Sequence, residues 1–343
     1  MRALTLSTLA LLACTGKDGV PLDDTGGASG DDSAVNTDDT SVADDTGATD
    51  DTGTTQLPDD MRELSELSSG ECPDLSQLGA TTTSQFLSSG ESRTVTAVLP
   101  NQVSANTQVV FFFHGLMSPD QTPDPTEYMA TALQLQQVAN QLDAIILLPE
   151  SPTRTEFGFS FFLWDVEGNT DHDIVLFDDL RTCVADLLAP DLERLSIVGF
   201  SGGALFTTMV ASQRGDAIST MVEMSGGADL EVIISPSIVA AYETPAWTFG
   251  ALLVTGGTND VWPDPNFAIV DFVAGTDTLE TNLVDDGHFV VRCRHNQGHT
   301  ITNDEYALAL EWLNSHHFGE LSPYETNGLG THSSWCEVVG DAE

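Results

Sequence analysis

The sequence predicts an α/β fold, a mostly parallel central sheet flanked by helices, over residues 63–343. Three observations carry that expectation. Short apolar runs alternate with helix-period segments, as parallel strands joined by crossover helices do. The runs at 108–113 and 144–148 are apolar throughout, which suits strands covered on both faces. The composition turns globular near residue 63, and a chain of 343 residues with 41% hydrophobic content can build one large core.

The elements follow in order. Residues 94–99 alternate and read as an early strand. Strand 108–113 leads to a helix over 126–142, rich in Ala, Leu and Gln, and then to strand 144–148. A second helix spans 173–188, with Ile174, Phe177, Leu180, Val184 and Leu187 at helical spacing. It feeds a short strand at 195–199, and a helix over 203–212 follows. Strands at 219–224, 250–255 and 288–291 and a closing helix at 304–316 complete the pattern. Only about 25 residues separate the strands at 219 and 250, which leaves no room for a large cap domain. An open cleft is expected.

The chemistry begins at Gly199-x-Ser201-x-Gly203, between a strand and a helix. Glycines two before and two after permit a turn that a Cβ would obstruct, and that turn lifts the Ser201 hydroxyl off the sheet edge. A serine hydroxyl needs a base to take its proton, and the base needs a partner to fix its tautomer. After strand 250–255 comes Gly256-Gly257-Thr258-Asn259-Asp260, a carboxylate on a loop at a strand's carboxyl end, with Asp264 in reserve. After the last strand comes His295-Asn296-Gln297-Gly298-His299-Thr300. Ser201, Asp260 and His299 are therefore the expected nucleophile, acid and base. His288 and His295 read as structural, and His316 and His317 as helix-closing residues in the favourable field of a helix end. An acyl-transfer site also needs donors for a tetrahedral oxyanion, and the N–H of Gly202, next after the nucleophile, is the first.

The chain order Ser201, Asp260, His299 and the elbow pattern resemble the α/β-hydrolase superfamily. Phe111-Phe112-Phe113-His114-Gly115-Leu116 resembles its strand-then-His-Gly motif, which implies the second oxyanion donor at Leu116 and a loop-ordering role for His114. Gly298-His299 resembles its closing Gly-His. With Leu148-Pro149-Glu150 and the segment from Cys293 to His299, the spacing resembles the exported polyhydroxybutyrate depolymerase and feruloyl esterase branch. Gly202 departs from the Asn or Met usual there, and no appended substrate-binding domain is expected. The resemblance implies hydrolysis of carboxylic esters, polymeric or aromatic ones included, with no metal or cofactor. A serine peptidase and a catalytically silent surface binding protein are the alternatives. Phe157, Phe159, Phe161, Phe162, Trp164 and Trp262 are candidates for an apolar wall, with Trp164 and Trp262 foremost, although each would serve equally as core.

The amino terminus belongs to a different material. Residues 1–13 carry Arg2 and then an apolar stretch too short to span a bilayer, which reads as an export signal. Leu11-Leu12-Ala13-Cys14 resembles the bacterial lipobox, implying cleavage before Cys14 and acylation there, and Thr15 after it points to the outer membrane or cell surface. Residues 14–62 are mostly Asp, Thr, Gly, Ser and Ala, with too little apolar surface to order the chain. They read as an acidic tether with a reach of roughly 40 Å. Its Asp pairs lack the ligand order and closing Glu of an EF-hand. A net charge of -43 without any basic run excludes nucleic acid as a partner and disfavours strongly anionic substrates. Export permits disulfides among Cys72, Cys183, Cys293 and Cys336. Three pairings are possible, Cys72 with Cys183 and Cys293 with Cys336 being favoured, and no two have zinc-ligand spacing.

Overall fold

The computed structural model describes residues 63–340 except 157 and 233–237. The expectations for residues 1–13, for Cys14 and for the tether lie outside the described residues, as does Phe157. The sheet begins with an antiparallel hairpin, β1 (Thr81–Ser88) and β2 (Glu91–Val98). Then come β3 (Gln108–Phe113), α1 (Pro125–Ala132), α2 (Leu135–Leu142) and β4 (Ala144–Pro149). A short hairpin, β5 (Thr153–Glu156) with β6 (Phe159–Phe162), leads to α3 (His172–Leu188), β7 (Leu195–Phe200) and α4 (Gly202–Arg214). After β8 (Thr220–Met224) comes a second small hairpin, the two-residue strands β9 (Leu230–Glu231) and β10 (Ile238–Val239) paired antiparallel, then β11 (Gly250–Thr255). A third small hairpin, β12 (Val261–Asp264) with β13 (Phe267–Asp271), precedes α5 (Phe272–Asp285) and β14 (Phe289–Arg294). The chain closes with α6 (Asn303–Leu313), α7 (Pro323–Asn327) and β15 (Cys336–Gly340).

Nine strands form one sheet in the order β1-β2-β4-β3-β7-β8-β11-β14-β15. The inner run from β4 to β14 is parallel, and both ends are antiparallel. Alternate residues of each inner strand enter opposite cores: Phe111, Phe113, Ile145 and Leu147 meet α3, α4 and α5, whereas Val110, Phe112, Ile146 and Leu148 meet α1, α2 and α6. Burial on both faces is why these strands read as unbroken apolar runs. This is the α/β-hydrolase fold, with no large cap domain among the described residues. No helix of the described residues is long and apolar enough to cross a membrane.

Three differences from the sequence expectation have physical causes. The helix expected over 126–142 is two helices, because Gln134 adopts φ 52 and ends the first. The carbonyl of Leu133 freed by that break accepts a hydrogen bond from the Tyr306 hydroxyl at 2.8 Å. α5 was not anticipated, since Gly275 and its threonines lower helix propensity. Gly275 is required there: a Cβ on it would fall 2.7 Å from Leu230, and the Gly227 backbone crosses beside it. The third is the set of three small hairpins, too short to give a periodic signal. The disulfides join Cys72 to Cys183 and Cys293 to Cys336.

Candidate active site

The turn between β7 and α4 places Ser201 at φ 57 and ψ -125, a conformation L residues avoid. The neighbouring glycines make it possible. A Cβ on Gly199 would fall 2.3 Å from Gly203 O, and one on Gly203 would fall 2.1 Å from Phe113 O. The turn is held by Ser201 N–H donating to Met224 O at 3.0 Å, which ties it to β8.

The loops after β11 and β14 meet beside it. Gly256 and Gly298 touch backbone to backbone, Gly298 N–H donating to Gly256 O at 2.9 Å, and a Cβ on Gly256 would lie 2.0 Å from Gly298 O. That approach brings Asp260 and His299 together. Asp260 Oδ1 lies 2.7 Å from His299 Nδ1, and His299 Nε2 lies 2.9 Å from Ser201 Oγ. An ionised carboxylate only accepts, so the imidazole proton sits on Nδ1 and Nε2 accepts from the serine hydroxyl. Asp260 is fully buried, and its Oδ2 accepts from Gly256 N–H at 2.7 Å and from the Ser225 hydroxyl at 2.8 Å. The His299 ring is stacked between Phe272, at 4.4 Å and 8°, and Phe200, at 4.8 Å and 28°. Aromatic faces on both sides fix the ring plane while its two nitrogens point along the chain of hydrogen bonds.

Asp264, the reserve acid, is elsewhere. It ends β12 on an exposed hairpin and accepts from its neighbour Asn266, which holds its carboxyl below the usual range. His114 is buried, its Nδ1 donating to Gly115 O at 2.7 Å and its Nε2 accepting from Ser151 N–H at 3.1 Å. Burial lowers its pKa to about 4, so the ring is neutral and orders the loop. That bond holds the carbonyl side of the Gly115–Leu116 peptide, whose other side is the Leu116 N–H. A Cβ on Gly202 would lie 3.4 Å from Leu116 N, so the backbones of the two expected oxyanion donors lie close together next to Ser201. Among the described residues neither N–H donates to a protein acceptor.

Three further histidines have structural partners. His288 is buried against Phe249, and His295 lies 3.3 Å from the buried Glu305 carboxylate, bracing the loop that carries His299. His316 departs from the expected charged helix end: burial lowers its pKa to about 4, and it bridges Trp312 O and Ser322 Oγ as a neutral ring.

A cavity of about 380 Å³ opens at Ser201. Phe161, Leu163, Trp164, Leu205, Trp262 and Phe272 are among its walls. The expected wall residues divide. Phe161, Trp164 and Trp262 line it, Phe159 is exposed on the β5–β6 hairpin, and Phe162 is buried beside Met117. Trp164 is nearly inaccessible and donates from Nε1 to His114 O at 2.8 Å, so it is also core. The cavity is walled by segments from all three small hairpins.

Sequence reading missed Ser225, Phe200, Phe272 and Arg154. Ser225 had a usable signal, since it follows the carboxyl end of a parallel strand, where site residues of such sheets collect. The stacking of Phe272 on His299 joins the first residue of α5 to the loop after β14, and no spacing rule reports it.

No family model and no curated protein matches the chain. Solved structures do resemble it. The structure of native pOPH has a TM-score of 0.60 at 17% identity, covering 79% of this chain and 97% of that one. Native sOPH has a TM-score of 0.59 at 15% identity, covering 78% and 96%. At such identities the likeness is one of fold.

Proposed function

We propose that the protein is a serine hydrolase that cleaves carboxylic esters through an acyl-enzyme. The observation that carries this reading is the hydrogen-bonded line Asp260, His299, Ser201, ending at a mostly apolar cavity beside two unengaged backbone N–H groups. Ser201 Oγ attacks the acyl carbon as its proton passes to His299 Nε2. The carbonyl electron pair moves to oxygen, and the N–H groups of Leu116 and Gly202 hold that oxyanion, each worth on the order of 10²–10³ in rate. The pair then returns, the bond to the alcohol oxygen breaks, and the alcohol leaves with the proton from His299. A water, deprotonated by the same nitrogen, attacks the acyl-Ser201 carbonyl and releases the acid. Buried Asp260 fixes the tautomer and stabilises the imidazolium.

The acyl group is extended or aromatic, in keeping with walls such as Trp262 and Phe161. Polyhydroxyalkanoate oligomers and feruloyl esters belong in the first panel, beside short p-nitrophenyl esters and an aminoacyl amide. Ester turnover without amide turnover is expected, with fluorophosphonate labelling of the native protein that Ser201→Ala abolishes. Equal labelling of Ser201→Ala would overturn the reading. The chain is also exported and lipid-anchored at Cys14, with residues 14–62 as spacer; two disulfides support export. Cys14→Ser should move the protein from the detergent phase to the aqueous phase, and unchanged partitioning would sink the anchor.

A further inference from the structure

Within the cavity wall one cation stands against apolar surface. Arg154, on β5, lines the cavity together with Phe161, its cross-strand partner on β6. Its ion pair with Asp165 is long, Nη2 to Oδ2 at 3.4 Å. Asp165 is engaged elsewhere, accepting from Asn169 N–H and Nδ2 and from Thr170 N–H and hydroxyl at 2.9–3.3 Å. A carboxylate has about four lone-pair sites, so those four donors leave Arg154 a peripheral share. The guanidinium donates no hydrogen bond among the described residues, and its Nε is buried without a partner. The side chain as a whole is 30% exposed, so its Nη groups can exchange water for an incoming acceptor.

We propose that Arg154 is a substrate-binding residue that donates to a second, uncharged oxygen on the acyl group, a ketone or further ester carbonyl remote from the scissile bond. This rests on the esterase reading and adds a chemical class to it. The acceptor is uncharged because Asp165 and Glu167 line the same cavity, so a carboxylate would meet two negative groups against one positive. The planar guanidinium suits an sp² oxygen, which takes an N–H near the carbonyl plane.

The test compares kcat/KM for p-nitrophenyl esters bearing a ketone at acyl carbon 4, 5 or 6 with methyl-branched isosteres lacking that oxygen. In the native protein at least one ketone ester should exceed its isostere by about tenfold or more, the discrimination expected of a hydrogen bond to a charged donor. In Arg154→Met that ratio should collapse toward one, whatever happens to the absolute rates. Arg154→Lys, which keeps the charge but loses the planar fork, should retain only part of it. A residue that merely braced the hairpin would change both members of each pair alike, leaving the ratio intact and overturning the proposal. So would a native protein that prefers no ketone, or one that prefers the p-nitrophenyl half-ester of adipic acid. Absence of turnover for every ester would instead overturn the esterase reading, and this inference with it.

Discussion

At the scale of single residues, the site depends on how completely Asp260 is held. Three donors converge on its carboxylate, from His299, Gly256 and Ser225, and the carboxylate itself is fully buried. Asp260→Asn puts an amide where an anion is needed and forces the wrong imidazole tautomer. It should lower kcat by on the order of 10³- to 10⁴-fold. Asp264→Asn, on its exposed hairpin, should change kcat by less than about twofold. Steady-state kinetics on the two variants decide the matter, and the reverse ranking would sink the assignment. Ser225 is a positioning residue. Ser225→Ala removes one donor while Gly256 N–H stays, so a fall in kcat of about tenfold with KM unchanged is expected. A matching rise in KM would mean that the cavity, not the carboxylate, had been disturbed. Ser201, Asp260 and His299 were legible in the sequence because glycines and strand ends mark them. Ser225 and Phe272 were not, since their contacts with Asp260 and His299 exist only once separate elements are packed together.

At the scale of elements, legibility followed burial. β3, β7 and β11 lie between two helical layers, so their sequences are apolar without interruption and their positions could be read directly. β1 has one more exposed face, and β15 is an edge strand tied to β14 by the Cys293–Cys336 disulfide. Such elements owe their place to pairing and covalent linkage rather than to their own pattern. The same holds for residues 63–75, which lie against α3. There Asp179 accepts from Ser68 N–H at 2.8 Å and from the Ser88 hydroxyl at 2.7 Å, and Cys72 is bonded to Cys183. A cross-link over 111 residues restricts the unfolded chain strongly. Replacing both Cys72 and Cys183 with Ala should therefore cost about 4 to 5 kcal/mol on the chain-entropy estimate. Urea unfolding of the double variant measures it, and a loss under about 1 kcal/mol would show that the hydrogen bonds to Asp179 hold the segment unaided.

For the whole molecule, 53 acidic against ten basic side chains make self-repulsion a standing cost near neutral pH, one that salt screens. Within that background a few buried groups set the pH response. His114, His288 and His316 are each lowered to about 4 by burial, so their contribution is present above their ordinary 6.5 and lost as pH falls toward 4. Glu223 works the other way. It is fully buried beneath the elbow, accepting from Gly227 N–H and the Thr208 hydroxyl, and burial pushes its pKa up to about 8. Folded protein keeps the proton between 4.5 and about 8 while the unfolded chain releases it. Stability from this group is therefore full below 4.5 and declines as pH rises through about 8, by about 1.4 kcal/mol per pH unit within that window. Glu223→Gln removes the titration, and its amide oxygen can still accept from Gly227 and Thr208. Urea unfolding of both proteins in high salt, from pH 5 to 8, should show the variant gaining on the native protein steadily with pH. The histidines and the general repulsion are common to both proteins and drop out of the comparison. A difference that stays flat across those pH values would mean that Glu223 is already ionised in the fold.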